Sequence, residues 1–236
     1  MCIVTITPTE PDAPTETATA PPPEAVPIKP LWRGRLHQVA FFFAVPAGVF
    51  LIGEATSVTA RMAAIIYAIA LAGMYGTSAL YHRLPWSPNG RTWMKRLDHS
   101  MIFVLIAGTY TPLSLLVLHG GWRWAVLATV WGVAAIGIGL KMFRIDGLKA
   151  LGATLYIGLG WVVVIASPQL FGRLSWEATT LVITGGVLYT AGAIVLAAHR
   201  PDPSPRVFGY HEVWHSMVIG GSLCHYVAIF LVLLAR

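Results

Sequence analysis

Seven long apolar segments separated by short loops constrain this chain more than any other feature of its sequence. Each is about 20 residues long, the length that an α-helix needs to cross roughly 30 Å of hydrocarbon. They lie at residues 37–55, 62–82, 98–118, 122–143, 148–167, 178–198 and 211–234. Only 11% of the residues are charged, whereas soluble domains carry about 25%. The sequence therefore predicts an all-α membrane protein, a bundle of seven transmembrane helices.

The distribution of lysine and arginine predicts the orientation of this bundle. With a cytoplasmic N-terminus, 12 of the 16 basic residues lie on the inner side of the membrane. Because cytoplasmic loops are enriched in Lys and Arg, we expect the N-terminus inside and the C-terminus outside, in the inner (plasma) membrane of the cell. Contact with anionic headgroups accounts for the net charge of +6. Membrane lipids are thus the expected partners and nucleic acid is not, while the oligomeric state stays open.

Residues 1–28 differ in composition from the rest of the chain. They are rich in Pro, Thr and Ala and include four acidic residues, which predicts a disordered cytoplasmic tail ahead of a membrane domain at 29–236. The segment lacks the basic and apolar regions of a secretory signal. The two cysteines, Cys2 and Cys224, lie far apart in the sequence. Any metal site would therefore depend on histidine or carboxylate ligands.

Four ionisable side chains lie where apolar segments begin or end: His82, Asp98, His211 and His215. In the predicted topology all four lie at the cytoplasmic boundary of the bundle. His211 and His215 are four residues apart and share one face of a helix, and His82 could supply a third nitrogen. Ionisable groups at membrane depth are commonly functional. Three imidazole ligands with one open position are typical of a catalytic zinc site.

Asp98 and Ser78 are the candidate catalytic residues beside this site. Zinc lowers the pKa of bound water from about 15.7 to about 7, and Asp98 could hold and deprotonate that water or act as a fourth ligand. Ser78 lies one turn before His82 on the same helix face. Its hydroxyl could orient His82, donate to a developing oxyanion, or simply pack in a stretch of small residues.

The sequence HEVWH at 211–215 also matches HExxH, in which the glutamate is the general base of a metalloprotease. Glu212, however, points about 100° around the helix from His211, and a protease would leave Asp98 and His82 without a role. We therefore expect Glu212 to be a charge at the end of an interfacial loop.

The other histidines have simpler expectations. His37, His119 and His199 lie at predicted helix ends, where we expect solvation. His225 lies about 15 Å deeper than His215, at roughly 1.5 Å per residue, and is expected to be buried away from the metal site. His99 is one helical step from Asp98 and is expected to face away from it, as a candidate for a supporting residue outside the ligand set.

Three stretches of the sequence resemble the hemolysin III family, the bacterial branch of the progestin and adipoQ receptor proteins, which is related to alkaline ceramidases. They are SALYH at 78–82, RLDHSMIFVLIAGTYTPL at 96–113 and HEVWHSMVIGGSLCHY at 211–226. The resemblance implies a seven-helix fold with zinc near the cytoplasmic face. It places the ligands at His82, His211 and His215, with Asp98 beside the zinc water and Ser78 on the same helix as His82.

These observations lead to three hypotheses for function. The first is a zinc-dependent hydrolase of a lipid amide or ester, acting in membrane lipid homeostasis. The second is a non-enzymatic regulator or receptor of membrane state, in which zinc is structural. The third is a channel-forming cytolysin, the activity from which the resembled family takes its name. Manganese or iron remain alternatives to zinc at a site of nitrogen and oxygen ligands.

Overall fold

The structure, a computed structural model, describes residues 29–143 and 149–235. Within these ranges the chain forms eight α-helices and no β-strand. They are α1 (Arg35–Gly53), α2 (Val58–Arg83), α3 (Pro88–Leu116), α4 (Gly120–Phe143), α5 (Lys149–Gly160), α6 (Val162–Phe171), α7 (Trp176–Ala198) and α8 (Tyr210–Leu234). The predicted disordered tail at 1–28 and residue 148, where the fifth apolar segment begins, lie outside the described residues.

Six of these helices are long and apolar enough to cross a membrane: α1, α2, α3, α4, α7 and α8. Their outer surfaces carry large apolar side chains that the fold leaves open, including Phe42, Phe43, Ile136 and Ile194, each more than 60% exposed. Soluble proteins rarely expose apolar patches of this extent, whereas lipid chains would cover them. The all-α class and a set of membrane-spanning helices are thereby confirmed.

The fifth apolar segment differs from the prediction of one continuous helix. α5 and α6 contain 12 and 10 residues and are separated at Trp161. At about 1.5 Å per residue they are roughly 18 and 15 Å long, so neither alone crosses about 30 Å. Glycine and proline weaken helices, and Gly158 and Gly160 precede the break while Pro168 lies inside α6. Local backbone chemistry here outweighs the apolar composition that indicated a single helix.

Serine caps determine where α2, α3 and α7 begin. The hydroxyls of Ser57, Ser87 and Ser175 each accept a hydrogen bond from the backbone N–H three residues later, at 3.2 Å. Pro88 follows Ser87 at the first helical position of α3, where its missing N–H is not needed. α3 therefore starts ten residues before the predicted span. Asp98 lies about 15 Å along the helix rather than in its first turn.

The packing of α8 against its neighbours assembles the site. The most extensive contacts join α7 to α8, α2 to α3, α1 to α2 and α3 to α4, and α8 also contacts α1 and α3. α7 and α8 approach closely through glycines, as is common between membrane helices: a Cβ on Gly221 would lie 3.1 Å from the carbonyl oxygen of Gly185. As a result, the start of α8 lies beside the end of α2 and the start of α1.

Candidate metal centre

The structure brings together the three histidines that the sequence singled out. His82 is the next-to-last residue of α2, and His211 and His215 lie in the first two turns of α8. Each offers a ring nitrogen within 4.8 Å of the other two, and the Nε2 atoms of His82 and His211 are 3.3 Å apart. Zn–N bonds of about 2.0–2.1 Å at tetrahedral angles place two ligand nitrogens about 3.3–3.4 Å apart. This pair therefore already has the separation of two ligands of one ion.

His215 supplies a second observation that fits a metal. Its side chain is 1% exposed, and neither ring nitrogen has a hydrogen-bond partner within residues 29–143 and 149–235. A buried polar atom without a partner costs about 1–3 kcal/mol, and coordination would satisfy it. Three imidazoles without a thiolate are a donor set that zinc accepts. The residues present therefore fit the metal that the sequence predicts.

Asp98 and Ser78 form a second polar group close to the end of α2 that carries His82. Both are buried, Asp98 on α3 and Ser78 on α2, and the Ser78 hydroxyl is within hydrogen-bonding reach of the Asp98 carboxyl. Ser78 is one helical turn before His82, so it connects the carboxyl to the imidazoles along one face of α2. Asp98 is not part of the three-imidazole group. Within the described residues, Asp98 is thus grouped with Ser78 rather than with the three imidazoles.

The side of Asp98 that faces α5 is also polar. Nδ1 of His99 lies 3.8 Å from Oδ2 of Asp98, so the His99 ring does not face away from the carboxyl as the sequence indicated. The Tyr156 hydroxyl of α5 donates a hydrogen bond to the His99 carbonyl oxygen at 3.2 Å. The short helix α5 therefore contributes to the surroundings of the carboxyl although it is not long enough to cross the membrane alone.

Glu212 is not the solvated loop-end charge that the sequence indicated. Its side chain is fully buried; Oε1 accepts a hydrogen bond from Nε of Arg33 at 2.5 Å, and Oε2 accepts one from the backbone N–H of Gly209 at 3.0 Å. The second contact is the glutamate half of a capping box at the start of α8. Because both oxygens are occupied, Glu212 is not placed as the free general base of a metalloprotease. The sequence could not show this pairing because Arg33 is 179 residues away.

His37 is the residue near the site that sequence reasoning missed. Instead of being solvated at a helix end, it is 2% exposed in the first turn of α1. Its ring stacks on that of His215, with centroids 3.8 Å apart and planes 8° from parallel, and Tyr75 of α2 lies 5.2 Å away. A sequence signal that could have drawn attention to His37 is its position at the end of KPLWRGRLH (residues 29–37), a short basic stretch that leads into the first apolar segment.

The remaining histidines lie away from the cluster. His119 and His199 are at helix ends as predicted, and His119 contacts the exposed Arg173. His225 is half-buried in the bundle, where its Nε2 lies 3.1 Å from the Val182 carbonyl oxygen. Its predicted separation from the metal ligands is confirmed, since it is not in the three-imidazole group.

Residues 29–34, the pre-α1 segment, cover the end of α2 next to the cluster. Lys29 Nζ donates a hydrogen bond to the carbonyl oxygen of His82. Gly34 begins α1 with φ +79°, a conformation that favours glycine, and a Cβ there would lie 2.6 Å from the Cβ of His82. The backbone N–H groups of Leu31 and Trp32 donate to the loop between α7 and α8 at 3.0 and 3.1 Å. The segment thus joins α2 to the start of α8.

Positive charge collects at this end of the bundle. The pKa of Lys29 is lowered by its partial burial and by the positive charges of Arg91, Arg83 and Arg33. The C-terminus of α2 carries the negative end of a helix dipole, which favours cations beside it. The candidate metal site therefore lies at the cation-rich end of the molecule, where anionic headgroups would be attracted.

Comparison with known proteins decides the family. Residues 27–226 match the sequence profile of the family described as Haemolysin-III related. This chain belongs to that family. The matched residues contain the three clustered histidines, Asp98 and Ser78, so the resemblance that was based on three stretches is confirmed over most of the chain. With its six apolar helices, this haemolysin-III-related chain is a multi-pass membrane protein.

Individual relatives agree with this assignment. The chain is 32% identical to Hemolysin-3 of Bacillus cereus over 189 residues, which covers 79% of this chain and 83% of the relative. It is 31% identical to the Hemolysin-3 homolog of Bacillus subtilis (strain 168) over 196 residues, covering 82% and 89%. A more distant similarity, 26% over 151 residues, covers 57% of this chain and 65% of the heptahelical transmembrane protein ADIPOR2 of Oryza sativa subsp. japonica.

Proposed function

We propose that this haemolysin-III-related protein is a zinc-dependent membrane hydrolase that cleaves a lipid amide or ester and so acts in membrane lipid homeostasis. The observation that carries the proposal is the cluster of three buried or half-buried imidazoles from α2 and α8. Three ligands leave a fourth tetrahedral position open, the arrangement of catalytic rather than closed structural zinc sites. A buried carboxyl, that of Asp98, and the hydroxyl of Ser78, one helical turn from His82, add the groups that hydrolysis needs.

In the proposed reaction, Asp98 of α3 transfers a proton and Ser78 of α2 assists it. When bound, zinc supplies a Lewis acid that polarises the scissile carbonyl and acidifies a water molecule. The Asp98 carboxylate accepts a proton from the attacking water and returns it to the leaving amine or alcohol. The water oxygen bonds to the carbonyl carbon as the C–N or C–O bond breaks. The Ser78 hydroxyl orients the Asp98 carboxylate or donates to the carbonyl oxygen as negative charge develops there.

The proposed topology has seven crossings, a cytoplasmic N-terminus and a location in the plasma membrane. α5 and α6 together would make the fifth crossing, since residues 149–171 amount to 23 residues. The excess of basic residues near the candidate site favours the cytoplasm for that side, and the rice relative is itself named heptahelical.

Cysteine labelling tests this topology. Asn89→Cys in the first turn of α3 and Arg173→Cys between α6 and α7 are exposed positions, to be introduced separately after both native cysteines are replaced. A membrane-impermeant maleimide applied to intact cells should label position 173 and not position 89. Protection of both positions would mean that α5 and α6 do not cross the membrane together.

The hydrolase proposal is tested by metal content and lipid turnover in the same preparations. Purified protein in lipid nanodiscs would be analysed for zinc and for fatty acid released from ceramide and from acyl-ester lipids. His211→Ala should lose zinc and turnover together. Asp98→Asn should keep zinc and lose turnover by about 10²-fold or more, the contribution typical of a general base. The matched control is His119→Ala, which removes an imidazole near Arg173 and should change neither measurement.

Two results would separate the hypotheses. Intact lipid turnover in a His211→Ala protein without zinc would refute the hydrolase. Full biological activity of Asp98→Asn protein that still binds zinc would favour a non-enzymatic regulator, in which the histidines brace α2 against α8.

A second candidate function comes from the names of the Bacillus relatives, which are hemolysins. If this chain were a channel-forming cytolysin, the purified protein would conduct ions across liposome membranes, and His211→Ala would leave the conductance unchanged. Lysis of erythrocytes without such conductance would instead point to altered lipid composition.

A further inference from the structure

We propose that His37 is a positioning residue that holds the imidazole of His215 in its metal-binding orientation by stacking on its face. The inference rests on the metal site of the proposed function and names a further residue for it. Ligating histidines are usually oriented by a hydrogen bond instead. A ligating histidine generally donates its second ring N–H to a carboxylate, a carbonyl or water, and this hydrogen bond fixes the orientation of the ring.

In the part of the chain that the structure describes, His215 has no such hydrogen bond from its ring. Both of its ring nitrogens are buried without a protein partner, so whichever nitrogen binds the ion, no described acceptor orients the other. Within the described residues, packing rather than a hydrogen bond therefore restrains the ring. Four rings lie around His215, those of His37, His82, His211 and Trp214.

These four contacts differ in geometry. The rings of His82, His211 and Trp214 are 4.6–5.4 Å from that of His215 and are inclined by 54–60°. The ring of His37 is 3.8 Å away and inclined by 8°. A parallel ring at this distance is in van der Waals contact over its face. Rotation of the His215 ring about its Cβ–Cγ bond would push the edge of the ring into His37. The stack therefore restrains the ring orientation on which metal binding depends.

The same geometry shows that His37 is not itself a ligand of this ion. Imidazole binds a metal along the plane of its ring, and an ion in the plane of His215 lies above the nearly parallel plane of His37, not within it. A Zn–N bond of about 2.0–2.1 Å cannot connect the two planes at their separation. His37 is accordingly outside the three-imidazole group.

His37 is held firmly enough to act in this way. It lies three residues after Gly34, whose Cα packs against His82, and four after Arg33, which is paired with the buried Glu212. The first turn of α1 is thus attached to both helices that carry the ligands, α2 and α8. Tyr75 adds a ring contact to His37 from α2 at 5.2 Å.

Zinc affinity of the full-length protein in detergent, measured by competition with a chromogenic chelator, tests the proposal. His37→Ala removes the stack and should weaken zinc binding by about 10–100-fold, the range found when groups that orient a ligand are removed. His37→Phe keeps a planar ring without nitrogen atoms and should stay within about threefold of the wild-type protein. His37→Leu, which fills the space without a planar face, should resemble His37→Ala. The visible spectrum of bound Co²⁺ should change in the Ala and Leu variants and stay close to wild type in Phe.

His225→Ala is the matched control, because it removes another imidazole from inside the bundle, a half-buried one whose ring contacts Tyr189 and which is outside the cluster. It should leave zinc affinity within about threefold of wild type. If His37→Ala does not fold, the zinc affinities of His37→Phe and His37→Leu are compared instead, and they show whether a planar ring is needed at this position.

Wild-type zinc affinity in both His37→Ala and His37→Leu would overturn the proposal. Equal weakening in Phe and Leu would also overturn it, because the ring nitrogens rather than the stacked face would then matter. Failure of the wild-type protein to bind zinc would refute the metal site of the proposed function, which is a separate outcome.

Discussion

Replacing Arg33 with methionine tests whether the Arg33–Glu212 ion pair holds the pre-α1 segment against α8. The Glu212 carboxylate is 0% exposed, while the Arg33 side chain is 21% exposed and lies 2.5 Å from it. Methionine keeps an unbranched side chain of similar length but removes the guanidinium. The substitution therefore leaves a buried carboxylate whose remaining hydrogen-bond donor is the backbone N–H of Gly209.

The expected loss follows from the burial of the two partners. Removing one partner of a buried ion pair costs about 3–5 kcal/mol, because the other charge is left uncompensated. Since Arg33 is partly exposed and water can approach, we expect the lower end of this range, about 3 kcal/mol. A change of 1 kcal/mol shifts the melting temperature of a chain of this size by roughly 2–4 °C, so Arg33→Met should lower it by about 6–12 °C.

Thermal unfolding in detergent, followed by size-exclusion chromatography after heating, measures this shift. A chelator would be present throughout, so that metal loss does not contribute. Glu212→Gln added to Arg33→Met removes the buried charge and keeps an acceptor for Gly209, and should recover more than half of the lost stability. Arg83→Met is the matched control: Arg83 is exposed on the same side of the molecule, and exposed substitutions usually change stability by less than about 0.5 kcal/mol. A melting temperature of Arg33→Met within about 2 °C of wild type would refute the reasoning, as would a double variant no more stable than the single one.

Three further predictions concern the metal and the close approach of helices. Adding zinc to metal-free protein at 100 times its dissociation constant should stabilise the fold by about 2.7 kcal/mol, seen as a rise in melting temperature; no rise would argue against a site in the folded state. Gly34→Ala should destabilise the protein by at least about 1–2 kcal/mol, because alanine is disfavoured at φ +79° and its Cβ would lie 2.6 Å from that of His82. Gly185→Ala should cost about 1–3 kcal/mol in the same assay by overpacking the contact between α7 and α8, whereas Gly132→Ala, with no atom within 4 Å of its added Cβ, should be neutral or stabilising.

Prediction from the sequence succeeded where the controlling interactions are local. An apolar stretch long enough for the bilayer becomes a helix almost regardless of its partners, because backbone groups in lipid must be satisfied within the segment. Six of the seven predicted spans accordingly appear as long helices. The spacing of His211 and His215 likewise places them on one face of any helix.

The prediction was less accurate where the outcome depends on individual residues inside or beside a segment. Average hydropathy over 148–167 did not register the break at Trp161, because glycines and a proline alter the backbone without making the segment more polar. The hydropathy of the third segment likewise placed the start of α3 at residue 98, although the Ser87 and Pro88 cap starts the helix at residue 88.

The sequence was sufficient to predict the membrane class, most of the helices and the set of histidines that meet. Membership in the haemolysin-III-related family agrees with the membrane class. The surroundings of those histidines became apparent only from the packing of the helices, which buries Glu212 against Arg33 and stacks His37 on His215. Both contacts join residues at or just before the start of α1 to residues at the start of α8, about three quarters of the chain apart. Hydropathy and helical period describe one helix at a time, whereas which side of a helix becomes buried depends on the neighbours that pack against it.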